Sequence, residues 1–236
     1  MNTNLKKRFW TTTKVAASGD GFGVFLDERP LKTPAKADLV VPKAALGDAI
    51  AAEWDALGDQ IDPQKLPFTK LANAAIDNMA EKAGLVVEAL TAYAETDLLC
   101  YRADSPEELV ARQSQSWDPI LDWIRDRHEI FFVSTVGIMP VEQPMKTVQK
   151  FEGWLKEMDK FELMAAHDLI MMSGSIVLAR AVIESHLSAD EAWKISTVDD
   201  LWQEDVWGVD EDAAELRAQK GRDFARAAQL YQLLSD

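Results

Sequence analysis

The 236-residue chain holds one cysteine and three histidines, and nucleophilic or metal chemistry would have to run through them. Cys100 lies in ETDLLCYRADSP, two residues before Arg102, whose charge is of the kind that lowers a thiol pKa. Read as a helix, Val86, Ala89, Tyr93, Asp97 and Cys100 form one stripe, and Val87, Leu90, Ala94, Leu98 and Tyr101 the next. Both stripes are mostly apolar, so the spacing places Cys100 in a buried face, packing as a small hydrophobe. None of His128, His167 and His186 shares a local signature with it.

The pair His167-Asp168 is of the type with which helical metal-dependent phosphohydrolases hold a divalent ion, and a hydrolase built on it is the competing reading of the chain. Such a site needs further histidines and carboxylates converging from other helices. His128 and His186 have no ligand spacing relative to the pair. Asp97 is the best single acid/base candidate, but a desolvated carboxylate needs a partner, and the reading gives it Arg102 or Arg112. SGDGFG at 18–23 leads into a strand instead of a helix N-terminus and is a hairpin turn. SGS at 173–175 is no nucleophile elbow. No catalytic, metal-binding or cofactor-binding residue is assigned, and no cofactor is expected.

Twenty-five basic against forty acidic side chains give a net charge of −15, which repels nucleic acid and anionic lipid. No apolar run reaches the ~20 residues of a membrane span, and MNTNLKKRFWTT has no hydrophobic segment behind its basic residues. The expected location is the cytosol. The charge is uneven. Residues 1–36 carry seven Lys/Arg against three Asp/Glu, whereas VDDLWQEDVWGVDEDAAE at 198–215 carries eight acids and no base. A charge run of this kind is commonly a solvated helix face. Here it surrounds Trp202 and Trp207, two of eight tryptophans, and aromatics beside charges are frequent binding anchors. Asp199, Asp200, Trp202, Glu204, Asp205 and Trp207 are therefore the candidate partner-binding residues.

These groups need a scaffold, and the patterning predicts an α+β fold with two domains: residues 1–83, β-rich with covering helices, and residues 84–236, mostly helical. RFWTTTKVAA and FGVFLD read as strands around the SGDG turn, with Phe22, Val24 and Leu26 on one face and further extended pieces at Leu31–Lys32 and Leu39–Val41. Leu46, Ile50, Trp54 and Leu57 then recur at helical spacing, as do Phe68, Leu71, Ala75 and Met79. Ser105-Pro106-Glu107-Glu108 and Ser188 with Glu191 read as capping boxes. Asp118-Pro119 is expected to kink a helix or begin another, and IFFVSTVGIMP to be extended. A last helix near 210–234 is expected to bury Leu216, Phe224, Ala227, Tyr231 and Leu234.

Six strings in collinear order carry a resemblance: LDERPLKTPAK (26–36), AIAAEWDALGDQIDP (49–63), LPFTKLANAAIDN (66–78), TDLLCYRAD (96–104), WDPILDW (117–123) and WQEDVWG (202–208). Together they resemble the assembly chaperones that act on the α subunit of the F-type ATP synthase catalytic head. Glu28 stands where family members often have glycine in an LDGRPLKTP turn. The resemblance implies a small β-rich N-terminal domain, a helical C-terminal domain and no enzymatic activity. It implies a protein, monomeric when free, that binds the unassembled α subunit, prevents its aggregation and releases it into the α/β hexamer. Within that family the chain is expected to be a member from a bacterial cytoplasm, and eukaryotic relatives would act in the mitochondrial matrix.

Overall fold

The computed structural model describes residues 5–235; the first four residues of the basic stretch read for a targeting signal lie outside them. The chain divides into two compact units. One takes in the chain up to residue 83 together with residues 159–164 and the segment from 229 onward; the other comprises residues 84–158 and 165–228.

The first unit is built on an antiparallel sheet. Strands β1 (Thr13–Ser18) and β2 (Gly21–Leu26) pair with Val15 opposite Val24, joined by a two-residue turn in which Gly19 takes φ 56°. Strands β3 (Arg29–Pro30) and β4 (Val40–Val41) both pair with β2. β1 starts five residues later than RFWTTTKVAA suggests. The backbone amides of Thr11 and Thr12 donate to the Asp27 carboxylate instead of to a ladder, which also holds the Asp27 pKa below its ordinary value. Asp27, at φ 53°, is the left-handed residue of the turn that contains Glu28, and Glu28 pairs with Lys14.

Helix α1 (Ala44–Asp55) covers this sheet with Leu46 and Ile50, both fully buried. Its approach is close: a Cβ on Gly47 would lie 2.9 Å from Cγ1 of Val15. At its C-terminal end the helix organises the next one. The Glu53 carboxylate accepts from the amides of Phe68 and Thr69, satisfying first-turn donors of α2 (Pro67–Ala74), whose N-cap Leu66 offers no side-chain acceptor. Trp54 is half-buried, not in the core: its Nε1 donates to Thr69 Oγ1 at 3.0 Å and its ring meets Trp10 edge-on. After α2 come a π-turn (Ala75–Met79) and α3 (Ala80–Thr91).

The remainder is mostly helical, as expected: α4 (Glu107–His128), α5 (Met145–Lys156), α6 (Lys160–Ser173), α7 (Ile176–Ile183), α8 (Ala189–Ser196), α9 (Val198–Trp207) and α10 (Glu211–Ser235). Strands β5 (Tyr101–Arg102) and β6 (Thr135–Val136) form a two-residue parallel pair, the one regular part of IFFVSTVGIMP. Three expectations change. Cys100 is fully buried, but it ends a 3₁₀ turn (Leu98–Cys100) beyond α3 and lies on no continuous helical stripe. Ser105 makes no capping box, because α4 starts from Pro106 without a side-chain cap and the Ser105 hydroxyl donates to Asp104. Pro119 lies inside α4 and begins no second helix. The Ser188/Glu191 box does form, in both directions, at the start of α8, and lowers the Glu191 pKa.

Candidate functional site

Helix α9 separates its acids onto two faces because side chains three and four residues apart share a stripe. Asp199, Trp202 and Asp205 turn toward α4. Asp199 Oδ1 accepts from Gln113 Nε2 at 2.8 Å, Asp205 Oδ2 accepts from Arg112 Nη1 at 2.7 Å, and Trp202 is 8% exposed. Gln113 itself is buried and fixed from the other side, its Oε1 accepting from the Ala103 amide. Trp202 therefore belongs to the core, contrary to its expected place at the surface.

Asp200, Gln203, Glu204 and Trp207 form the opposite stripe and line an open surface cavity of about 890 Å³. Gly208, at φ 90°, ends the helix and starts the turn into α10, which supplies the facing wall with Leu216, Arg217 and Lys220. Trp193 lines it from α8. Glu204 is committed: both its oxygens accept from Arg217, at 2.7 and 2.6 Å, and this pairing, with a smaller contribution from Asp200, holds the Arg217 pKa above its ordinary value. Asp200 is exposed, and Trp207 is 73% exposed with its ring edge-on to the buried Trp202. Beside them Val209 and Leu216 are exposed too. Leu216 was expected in the core; α10 reaches fully buried positions at Phe224 and Ala227, two turns further on.

Of the six residues singled out by sequence, the cavity thus gathers Asp200, Glu204 and Trp207, while Asp199 and Asp205 fasten α9 to α4 and Trp202 is buried. Lining residues that sequence reasoning did not single out include Trp193, Leu216 and Lys220. Only the spacing of Asp200, Gln203, Glu204 and Trp207, at i, i+3, i+4 and i+7, was there to separate the two faces.

The other groups weighed for chemistry have structural partners. Asp97 is fully buried and pairs with neither Arg102 nor Arg112; Arg102 binds Asp118, and Arg112 binds Asp205. Its oxygens accept from the Leu99 amide at 2.9 Å, the Ser175 hydroxyl at 2.9 Å and the Val177 amide at 3.1 Å, while Ser175 Oγ accepts from the Leu178 amide. Asp97 and Ser175 together satisfy the N-terminus of α7, whose oriented amides do what an arginine would otherwise do. Burial still raises the Asp97 pKa from 3.8 to about 6 against these hydrogen bonds. Burial, and next Asp97, push the Cys100 thiol up, leaving it no thiolate character. His167 Nδ1 lies 2.9 Å from Asp168 Oδ1, and no cluster of three His, Cys, Asp or Glu side chains gathers around them or elsewhere among the described residues. His128 sits between Glu184 and Arg180, and His186 stacks on Trp123.

A mostly helical region with an open acidic and aromatic cavity, following a small antiparallel sheet, has the features of a binding protein. The sequence profile of the ATP12 chaperone protein family matches residues 7–125. The crystal structure of Atp12 from Paracoccus denitrificans superposes with a TM-score of 0.94 at 38% identity, over 97% of this chain and 98% of that one. A mutant of P. denitrificans Atp12p gives a TM-score of 0.94 at 37% identity, over 97% of each chain. The mitochondrial protein atp12 of Schizosaccharomyces pombe is 26% identical over 222 residues, which cover 89% of this chain and 76% of that protein. The chain belongs to the ATP12 chaperone family, the ATP synthase assembly chaperones that its six strings resemble.

Proposed function

We propose that this chaperone binds the unassembled α subunit of the F-type ATP synthase catalytic head, keeps it from aggregating and yields it to the α/β hexamer without catalysing a reaction. The observation that carries this reading is the likeness to Atp12 over 97% of the chain. The physical logic is simple. A subunit made before its neighbours exposes apolar interface, and a partner that covers it transiently prevents self-association. We place client contact on the α9–α10 cavity, where Trp207 and Leu216 offer desolvation energy and Asp200 offers charge to steer encounter. Asp199, Trp202, Glu204 and Asp205 act in this scheme by holding α9 in position.

The protein works as a monomer in the cytoplasm of a bacterium, and its eukaryotic relatives work in the mitochondrial matrix. The test is capture of isolated α and isolated β subunits, each by the immobilised chain. Retention of α and not of β is expected; equal retention of both, or of neither, overturns the assignment. A metal-dependent hydrolase on His167 and Asp168 has no observation in its favour.

A further inference from the structure

Between α4 and α5 the chain reads IFFVSTVGIMPVEQPM (130–145), with Glu142 its one charged residue in a chain that is 28% charged. This segment is fastened at its neck. The buried Gln143 uses its whole amide on Val133, accepting from the backbone N–H at 2.9 Å and donating to the carbonyl at 2.8 Å. Thr147 Oγ1 donates to the Phe131 carbonyl, and Lys150 Nζ to the carbonyls of His128 and Glu129. Residues 134–142 thus form a closed loop on a fixed base. At its far end Ile138 is 94% exposed and Met139 72%, with Val136 exposed on the loop and Phe131 and Met145 exposed at the neck. Single exposed apolar side chains are ordinary; this concentration on one fastened loop is a binding feature.

The backbone adds direction. The Gly137 amide donates to the Arg102 carbonyl at 2.8 Å, so the planar trans peptide turns the Val136 carbonyl away from β5. In an extended residue the amide N–H follows its own carbonyl, so both polar groups of Val136 face the outer edge of β6. Among the described residues that sheet has only two strands, and the edge is open.

We infer that this loop is a second client contact, on which an extended, uncharged, apolar segment of the client pairs with the β6 edge at Val136 and packs on Ile138 and Met139. This rests on the chaperone reading above. Charge selects the occupant. A charged segment would be desolvated against Ile138 and Met139 without a partner. A second copy brings another −15, and an anionic bilayer is repelled by the same field. Strand addition to an open edge, with backbone bonds for affinity and alternate side chains for selectivity, is the recognition mode that remains.

The test uses the full chain and isolated α subunit, with affinity measured for wild type, for the double variant Ile138→Ser/Met139→Ser and for Val136→Pro. All three positions are exposed, and circular dichroism checks that the fold is kept. At least tenfold weaker binding is expected for both variants. Wild-type affinity in the double variant overturns the loop contact, and wild-type affinity in Val136→Pro overturns the edge pairing, while the chaperone reading stands in either case. Failure of the wild type to bind α overturns that reading and this inference with it. Flotation of the wild type with phosphatidylcholine vesicles, or its dimerisation in sedimentation velocity, lost in the double variant, overturns the proposed occupant in favour of a membrane or a second copy.

Discussion

Asp97 is the residue at which burial and hydrogen bonding oppose each other most directly. Its folded pKa of about 6 lies above the ordinary 3.8, so the folded state holds the proton more firmly. That contribution to stability is complete below about pH 4 and is lost as pH rises through about 6. Asp97→Asn cannot titrate. The stability of the wild type relative to this variant therefore falls by roughly 2 kcal/mol between pH 4 and pH 7, measured by urea unfolding at each pH. A difference that stays flat across this range contradicts the burial argument. Cys100 responds to its dry site in another way: Cys100→Ser costs more stability than Cys100→Ala, because a buried hydroxyl there has to find a partner. Thermal unfolding of the two variants checks the order, and client binding is unchanged in Cys100→Ala.

At the scale of the element, α9 makes a prediction about two faces of one helix. Asp199→Asn and Asp205→Asn weaken the hold on α4 and cost up to about 1 kcal/mol each, with little effect on client association. Asp200→Asn slows association with α at low salt and flattens its salt dependence, and Trp207→Ala weakens binding about tenfold or more without loss of stability. Stopped-flow association at two ionic strengths, with unfolding curves for every variant, separates the faces; equal kinetic effects from Asp199 and Asp200 would contradict the division. The sequence made some elements legible and others not. The Gly19 turn and the Ser188/Glu191 box are local, with all their partners within three residues, and were readable. Asp97 was misassigned to an arginine because its partner Ser175 lies 78 residues away, and no spacing rule reaches that far. Leu216 shares a helical stripe with buried residues, but periodicity tells which side of a helix is apolar, not how far along its length the core extends. Trp202 and Trp207 look alike in sequence, five residues apart, and only the tertiary fold makes one core and the other surface.

For the whole molecule, the sequence pattern sets its boundary at residue 83, but the first compact unit also takes in residues 159–164 and the segment from 229 onward. Phe161, Leu163 and Leu230 in those segments are buried almost completely. We propose that the boundary after Ala83 divides the sequence without marking an autonomous folding unit. A fragment of residues 1–83 is expected to lack cooperative thermal unfolding, and a full-length-like transition in that fragment would contradict this. The net charge of −15 opposes self-association of a chain whose apolar groups such as Trp207 and Ile138 stay exposed. We propose that these surfaces shield one subunit before assembly. The most direct measurement is light scattering of isolated α subunit diluted from denaturant, with and without an equimolar amount of this chain, followed by addition of β subunit. Suppressed scattering and release of α into α/β complexes when β is added are expected. Scattering unchanged by the chain, or α retained after β is added, would contradict it.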